Sequence, residues 1–179
     1  MSEAVIETSR LILRPHRAED FPDVAALWAD PVVVRYISGS PSTREASWAR
    51  LLRNMGHWQA MGYGYWAVTD RESGVFLGEV GFSDFRRDIE PCLDGLPEAG
   101  WVLAPKAHGR GIASEAVRAM HAWADAERDW SETVCIFDPA HVVSQKVARK
   151  LGYAAREMTA TYQGKSTLVM ERKAVGSRP

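Results

Sequence analysis

Glu98-Ala-Gly-Trp-Val-Leu-Ala-Pro-Lys-Ala-His-Gly-Arg-Gly-Ile-Ala-Ser-Glu-Ala-Val117 reads as a strand, a glycine-bearing loop and the start of a helix. That order can hold a pyrophosphate. Gly109 and Gly111 let the loop backbone come close to an anion, and a helix opening near Ile112 aims N–H groups without intrahelical partners at the same point. A helix N-terminus contributes ~0.3 to 2 kcal/mol per anionic partner, so a diphosphate is a ligand this loop suits. Ile112, Ala116, Met120 and Trp123 recur at helical spacing, and Ala113, Val117 and Ala124 widen the stripe, which anchors the loop from behind. Taken by itself, His108-Gly-Arg-Gly111 also suits a plain surface turn. Two other nucleotide loops fit poorly. G-x-x-x-x-G-K-[ST] does not occur, and for a dinucleotide fingerprint Ser114 replaces the third glycine while Ala104 to His108 separate strand from glycines.

The chain of 179 residues is 46% hydrophobic, enough for one domain spanning 1–179 with a full core, and the tail after Lys173 reads as frayed. A formal charge of -1 gives no basic field, which disfavours direct nucleic-acid binding. The N-terminus lacks a basic start followed by an apolar core, and no apolar run approaches the ~18 residues of a membrane span, so a cytoplasmic location is expected. Cys135 lies in the apolar run Thr133 to Phe137 and reads as packing, with neither a disulfide nor a nucleophile implied. His16, His57, His108, His121 and His141 are scattered without ligand spacing, so no metal is expected. Gly81-Phe-Ser-Asp-Phe85 misses the last glycine of a serine-hydrolase elbow.

Leu11 to Arg14 reads as a first strand, and Phe21, Val24, Leu27 and Trp28 give a helical stripe with Pro22 in its first turn. Ser42-x-x-Glu45 has the pattern of a capping box, and Trp48, Leu51, Leu52 and Met55 carry the helix toward the Gly56 to Gly64 stretch. Tyr65 to Thr69 and Val75 to Phe82 are strand-like around a turn at Asp70 to Gly74, and Arg86 to Leu96 is a loop. After the Thr133 strand comes a short helix with Val143, Val147 and Leu151 inward, then a hairpin of Ala155 to Thr161 and Thr167 to Glu171. Such an order makes a mixed α/β sheet.

With the loop and this order of elements in view, the chain resembles the GNAT acetyltransferase superfamily, whose signature loop Q/R-x-x-G-x-G/A binds the pyrophosphate of coenzyme A. His108-Gly-Arg-Gly111-Ile-Ala113 matches at Gly111 and Ala113, with His108 at the first position. Most similar is the RimJ/RimL-like branch of ribosomal-protein N-acetyltransferases. The likeness runs through Thr8 to Pro15, Asp30 to Tyr36, Glu98 to Leu103, and the closing motif Asp138-Pro-Ala-His-Val-Val-Ser144 with Lys150-Leu-Gly-Tyr153. The resemblance implies a mostly antiparallel twisted sheet, splayed at the cofactor site and flanked by helices. It also implies acetyl-CoA as cosubstrate, bound by the loop residues His108, Gly109, Arg110, Gly111, Ile112, Ala113 and Ser114, with the backbone of Trp101, Val102 and Leu103 pairing with the pantetheine amides. His141 stands where the family has an Asn that helps hold the pantetheine arm. It can keep a polar contact there or be a helix-start residue facing solvent.

Amide formation from a thioester needs a neutral amine, a hold on the oxyanion and a proton for the thiolate. An α-amine, with a pKa of about 7.7 to 8.0, needs only a modest base, whereas a lysine near 10.4 needs more help. Glu98 is the first candidate base and Glu79 the second; each also reads as an ordinary charged strand residue. Ser144 resembles the motif serine suited to protonating the leaving sulfur, or else it bonds a nearby helix carbonyl. Many GNAT enzymes carry a Tyr at about the position of Ala148, and its absence favours Ser144. Among seven tryptophans, Trp28, Trp48, Trp66 and Trp123 read as core, and Trp58 as core or the wall of an acceptor cleft. The expected activity is acetyl transfer from acetyl-CoA to a protein N-terminal amine or a small amine, by direct attack in a ternary complex. A non-catalytic coenzyme A-binding module and a dinucleotide-binding oxidoreductase are the rivals.

Overall fold

A computed structural model describes residues 4–174. Beyond Ala174, the tail expected to fray lies outside the described residues. The elements are β1 (Ile6–Glu7), β2 (Leu11–Pro15), α1 (Phe21–Ala29), α2 (Pro31–Val34), α3 (Arg44–Met61), β3 (Tyr65–Asp70), β4 (Phe76–Ser83), β5 (Ile89–Glu90), β6 (Glu98–Leu103), α4 (Ile112–Glu127), β7 (Glu132–Phe137), α5 (Val142–Lys150), β8 (Ala154–Ala155), β9 (Ala160–Tyr162) and β10 (Lys165–Lys173).

They form a mixed α/β fold whose open sheet runs β1-β2-β3-β4-β6-β7-β10-β9-β5, with β8 also pairing β10. All pairs are antiparallel except β6 with β7. Parallel neighbours need a crossover, and α4 supplies it. On one face, Val24, Leu27 and Trp28 of α1 and Leu51 of α3 pack over Ala67 and Val102. On the other, Ile112, Ala116, Val117 and Met120 of α4 pack over Val80 and Phe82, as their spacing predicts.

Four local expectations are corrected. First, α3 rolls differently from its apolar stripe: Ser47, Leu51, Asn54 and Trp58 are buried, while Trp48 and Leu52 stay 38% and 45% exposed. Small polar side chains fit beneath the helix, and Trp48 packs edge-on against Phe21, ring centroids 5.0 Å apart. Second, the cap of α3 is Thr43, whose Oγ1 accepts from the Ala46 N–H at 3.1 Å. The neighbouring Ser42 sends its N–H to the Trp28 carbonyl instead. Third, on α5 the inward residues are Ser144, Gln145 and Ala148, whereas Val143 is 72% exposed. Fourth, Ala155 to Thr161 does not form one strand. β10 already pairs with β7 along one edge, and its other edge takes β8 and then β9 separately.

Candidate active site

β6 pairs with β4 through all of Glu98 to Leu103, but meets β7 only at Glu98↔Val134, where the Val134 N–H donates to the Pro97 carbonyl at 3.0 Å. Past that point the two strands part. Trp101 and Phe137 face each other across the opening, ring centroids 5.7 Å apart and tilted 56°. Backbone groups alternate between the edges of a strand. The Val102 carbonyl is turned to Gly78 on β4, so the groups of Trp101 and Leu103 lie on the open edge and those of Val102 do not. That removes Val102 from the backbone positions able to pair with an extended ligand. His108 Nε2 stands 2.9 Å from the Leu103 carbonyl, so this imidazole ties the loop back to its own strand.

The loop then turns through Gly109 (φ 70°) and Gly111 (φ 73°), conformations in which a Cβ costs free energy. Gly111 is the N-cap of α4, and no side chain caps this end. Glu115 makes the first helical bond, back to the Gly111 carbonyl at 3.1 Å. The N–H groups of Ile112, Ala113 and Ser114 precede it and point out of the helix end, where anionic oxygens are stabilised. A Cβ built at Gly109 would meet nothing within 4 Å.

Sequence reasoning missed what steadies this loop. Arg10 Nη1 donates to the Arg110 carbonyl at 2.9 Å and Arg10 Nε to Glu115 Oε2 at 2.7 Å. The other Glu115 oxygen accepts from Thr8 Oγ1 at 2.6 Å, Ser9 Oγ at 3.2 Å and the Arg10 N–H at 3.1 Å. Burial raises the Glu115 pKa, but these hydrogen bonds and the guanidinium outweigh it and leave it lowered. Nothing local in the sequence announces a contact spanning more than a hundred positions.

On the β7 side of the opening, α5 brings Ser144 and His141 together: Ser144 Oγ lies 3.1 Å from His141 Nε2, and Ser144 is only 8% exposed. The His141 ring stacks on Tyr36, centroids 5.0 Å apart at 19°, and meets the edge of Phe137 at 6.5 Å. The ring is therefore half-buried between Tyr36 and Phe137, with Nε2 turned to Ser144 of its own helix. Burial lowers its pKa, partly offset by Asp138, so the imidazole is neutral at pH 7. Tyr36 closes a stretch that carries the resemblance, but nothing in the sequence announces its stack on His141.

Each candidate carboxylate has a partner inside the fold. Both oxygens of Glu98, at the point where the sheet opens, are held by Arg87 through Nε and Nη2 at 2.8 Å each, and Arg87 Nη1 reaches Tyr162 Oη at 3.1 Å. Burial opposes the charge on Arg87, but the Glu98 contact prevails and raises its pKa. Glu79 is fully buried beneath α1. Trp28 Nε1 donates to its Oε1 at 2.9 Å, and His16 Nε2 lies 3.3 Å from its Oε2. Trp58 belongs to the core, with Nε1 donating to the Tyr65 carbonyl at 3.0 Å and its ring edge-on to Trp66 and Trp123. A cavity of about 470 Å³ lies beside β5 and the β9–β10 turn; its lining includes Arg87 but none of the glycine loop. Among the described residues, no group of His, Cys, Asp or Glu has the arrangement of a metal site, and no helix is long and apolar enough to cross a membrane.

A sheet opened between two parallel strands, with an uncapped helix N-terminus at the mouth of the opening, is the arrangement that the sequence resemblance implied. The chain belongs to the GNAT acetyltransferase family: the model for the acetyltransferase (GNAT) domain matches residues 10–154. It is similar to a solved structure described as a GNAT-family acetyltransferase from Bordetella pertussis, with 30% identity, a TM-score of 0.83 and coverage of 94% of this chain and 99% of that one. The Bacillus subtilis N-acetyltransferase YnaD, itself uncharacterised, is 25% identical over 147 residues, 82% of this chain and 81% of YnaD. The ribosomal L7/L12 α-N-protein acetyltransferase RimL, solved with coenzyme A, shares the fold at 15% identity and a TM-score of 0.77, covering 95% and 98% of the two chains.

Proposed function

We propose that the chain acts as one domain that moves an acetyl group from acetyl-CoA to a primary amine, by direct attack within a ternary complex. The acceptor is a protein N-terminal amine or a small amine, as in the RimJ/RimL-like branch. The observation that carries this reading is the opening between β6 and β7, paired only at Glu98↔Val134 and ending at the Gly109 to Ser114 loop. An extended pantetheine arm can add to the open edge at Trp101 and Leu103 as a peptide adds to a sheet. The loop backbone from Gly109 through Ser114 then receives the pyrophosphate, with His108 and Arg110 holding the loop in shape. Ser144 supplies the proton to the leaving sulfur. Glu98 and Glu79 serve to hold Arg87 and Trp28 in place rather than as bases.

Calorimetric titration with acetyl-CoA tests the loop. The parent binds, and Gly111→Ala weakens binding by about tenfold or more, because a Cβ stands where the phosphates approach. In the free protein that Cβ would come no nearer than 3.6 Å to Arg10 Nη2, so the cost to the fold is the backbone strain at φ 73° alone, and a thermal melt identifies the folded variant. Unchanged affinity in a folded variant overturns the assignment. A screen of amines and N-terminal peptides that reads free thiol release separates transfer from mere cofactor binding.

A further inference from the structure

We propose that Ser144 and His141 act as one proton-handling unit, in which the Ser144 hydroxyl touches the reacting atoms and His141, behind it, holds the amine's proton until the departing sulfur takes it. The inference deepens the transfer reading and rests on it.

Attack by a neutral amine forms the C–N bond and leaves a positive nitrogen and a negative oxygen on one carbon. The nitrogen must lose a proton before the amide is stable, and the sulfur, leaving with the electrons of the C–S bond, takes one up. A serine alone can only pass a proton in the instant it receives one. A neutral imidazole behind it removes that constraint, because it can store the proton between the two events.

The geometry points to His141 for this task. Glu98 is clamped by Arg87 at both oxygens, and Glu79 lies under α1. The other four histidines lie elsewhere: His16 buried beside Glu79, His57 between the Tyr63 carbonyl and the Asp84 N–H, His108 on the Leu103 carbonyl, and His121 on the Val117 carbonyl and Tyr153 Oη. His141 is held by the Tyr36 stack and the Phe137 edge, with Nε2 aimed at Ser144 Oγ. The charged and titratable groups around it are Asp138 in the turn before α5, Tyr36, and Arg35, whose guanidinium lies 5.2 Å from the Tyr36 ring.

In the resting state the Ser144 O–H donates to Nε2. After C–N bond formation the ammonium proton passes to Oγ while the Ser144 proton passes to Nε2, giving an imidazolium. When the C–S bond breaks, Nε2–H returns a proton to Oγ and Oγ delivers its own to sulfur. The products are an amide and a thiol, both side chains are restored, and no proton is exchanged with solvent. His141 is thus a positioning and proton-carrying residue acting through Ser144.

A double-mutant cycle tests this, using an acceptor found by the thiol-release screen. His141→Asn keeps a polar side chain but cannot store a proton. It and Ser144→Ala should each lower kcat about 100-fold, with the calorimetric Kd for acetyl-CoA held within about threefold. The double variant should be no slower than Ser144→Ala, because residues acting as a unit are not additive. Once the acceptor's own ionisation is divided out, the parent's kcat/KM should keep an acidic limb below the usual histidine range that His141→Asn lacks. Should His141→Asn melt early, His141→Gln carries the same measurements. A kcat for His141→Asn within about threefold of the parent, or effects that multiply in the double variant, overturns the proposal. A parent that binds no acetyl-CoA overturns the transfer reading and this inference with it, whereas an active parent with a silent His141→Asn overturns this inference alone.

Discussion

His121 is buried on α4, with its Nδ1 2.7 Å from the Val117 carbonyl and its Nε2 2.8 Å from Tyr153 Oη, which in turn meets Thr133 Oγ1 at 2.6 Å. A neutral ring satisfies this chain by donating at Nδ1 and accepting at Nε2. Burial pushes the His121 pKa down to about 4, against a small opposing contribution from the Val117 hydrogen bond. Between that value and about 6.5 the unfolded chain binds a proton that the folded one refuses, so stability rises with pH across this window and is complete above it. We predict that acidification from neutral to about pH 4 costs about 3 kcal/mol through this residue alone. His121→Asn, already weaker at pH 7, should lose that part of the acid sensitivity. Urea midpoints of parent and variant across the range check it, and parallel pH curves would remove His121 as the cause.

At the level of elements, the start of α3 shows how one position decides a boundary. Thr43 has extended backbone angles (φ -68°, ψ 162°) and its hydroxyl accepts from the Ala46 N–H, which is what a cap requires. Ser42 precedes the helix by one residue too many. Thr43→Ala should therefore cost about 1 kcal/mol of stability while Ser42→Ala changes little, and thermal unfolding of the two variants separates them. The same helix shows why an apolar stripe misplaces a face: Ser47 and Asn54 are buried and Trp48 is half out. Period counts which residues are apolar, whereas the roll of α3 is set by what fits against α1 and the sheet.

Over the whole molecule, the sheet is continuous through β1 to β6 and again through β7 to β5, and a single bridge at Glu98↔Val134 joins the halves along the strands' edges. The core stripe of α4 shares one buried cluster with Val80 and Phe82 of β4, Cys135 of β7 and Met170 of β10, so side chains of both halves pack in a single core. A ligand lying along the open edge of β6 would complete the sheet. We predict that acetyl-CoA slows hydrogen exchange at the Trp101 and Leu103 amides, while the Val102 amide, already turned to β4, is slow with and without it. At about 100 times its dissociation constant the ligand should add ~2.7 kcal/mol to stability, visible as a rise in Tm. Exchange by NMR or mass spectrometry reads both, and protection at Val102 in place of Trp101 would mean that the ligand lies elsewhere.

The sequence by itself determined the run from β6 through the glycine loop into α4, the strands at Leu11, Tyr65 and Thr133, the burial of Cys135, and the resemblance that led to the family. These readings rest on periodicity and on glycine's backbone freedom, which act over a few neighbouring residues. Only the tertiary structure decided that Arg87 occupies Glu98, that Trp28, 51 positions away, takes Glu79, and that Glu115 steadies the loop by reaching Thr8. It also decided that His141 turns to Ser144 against the Tyr36 ring. A side chain's partner is chosen by distance in space, and the folding of the sheet brings together groups whose separation along the chain carries no trace of that contact.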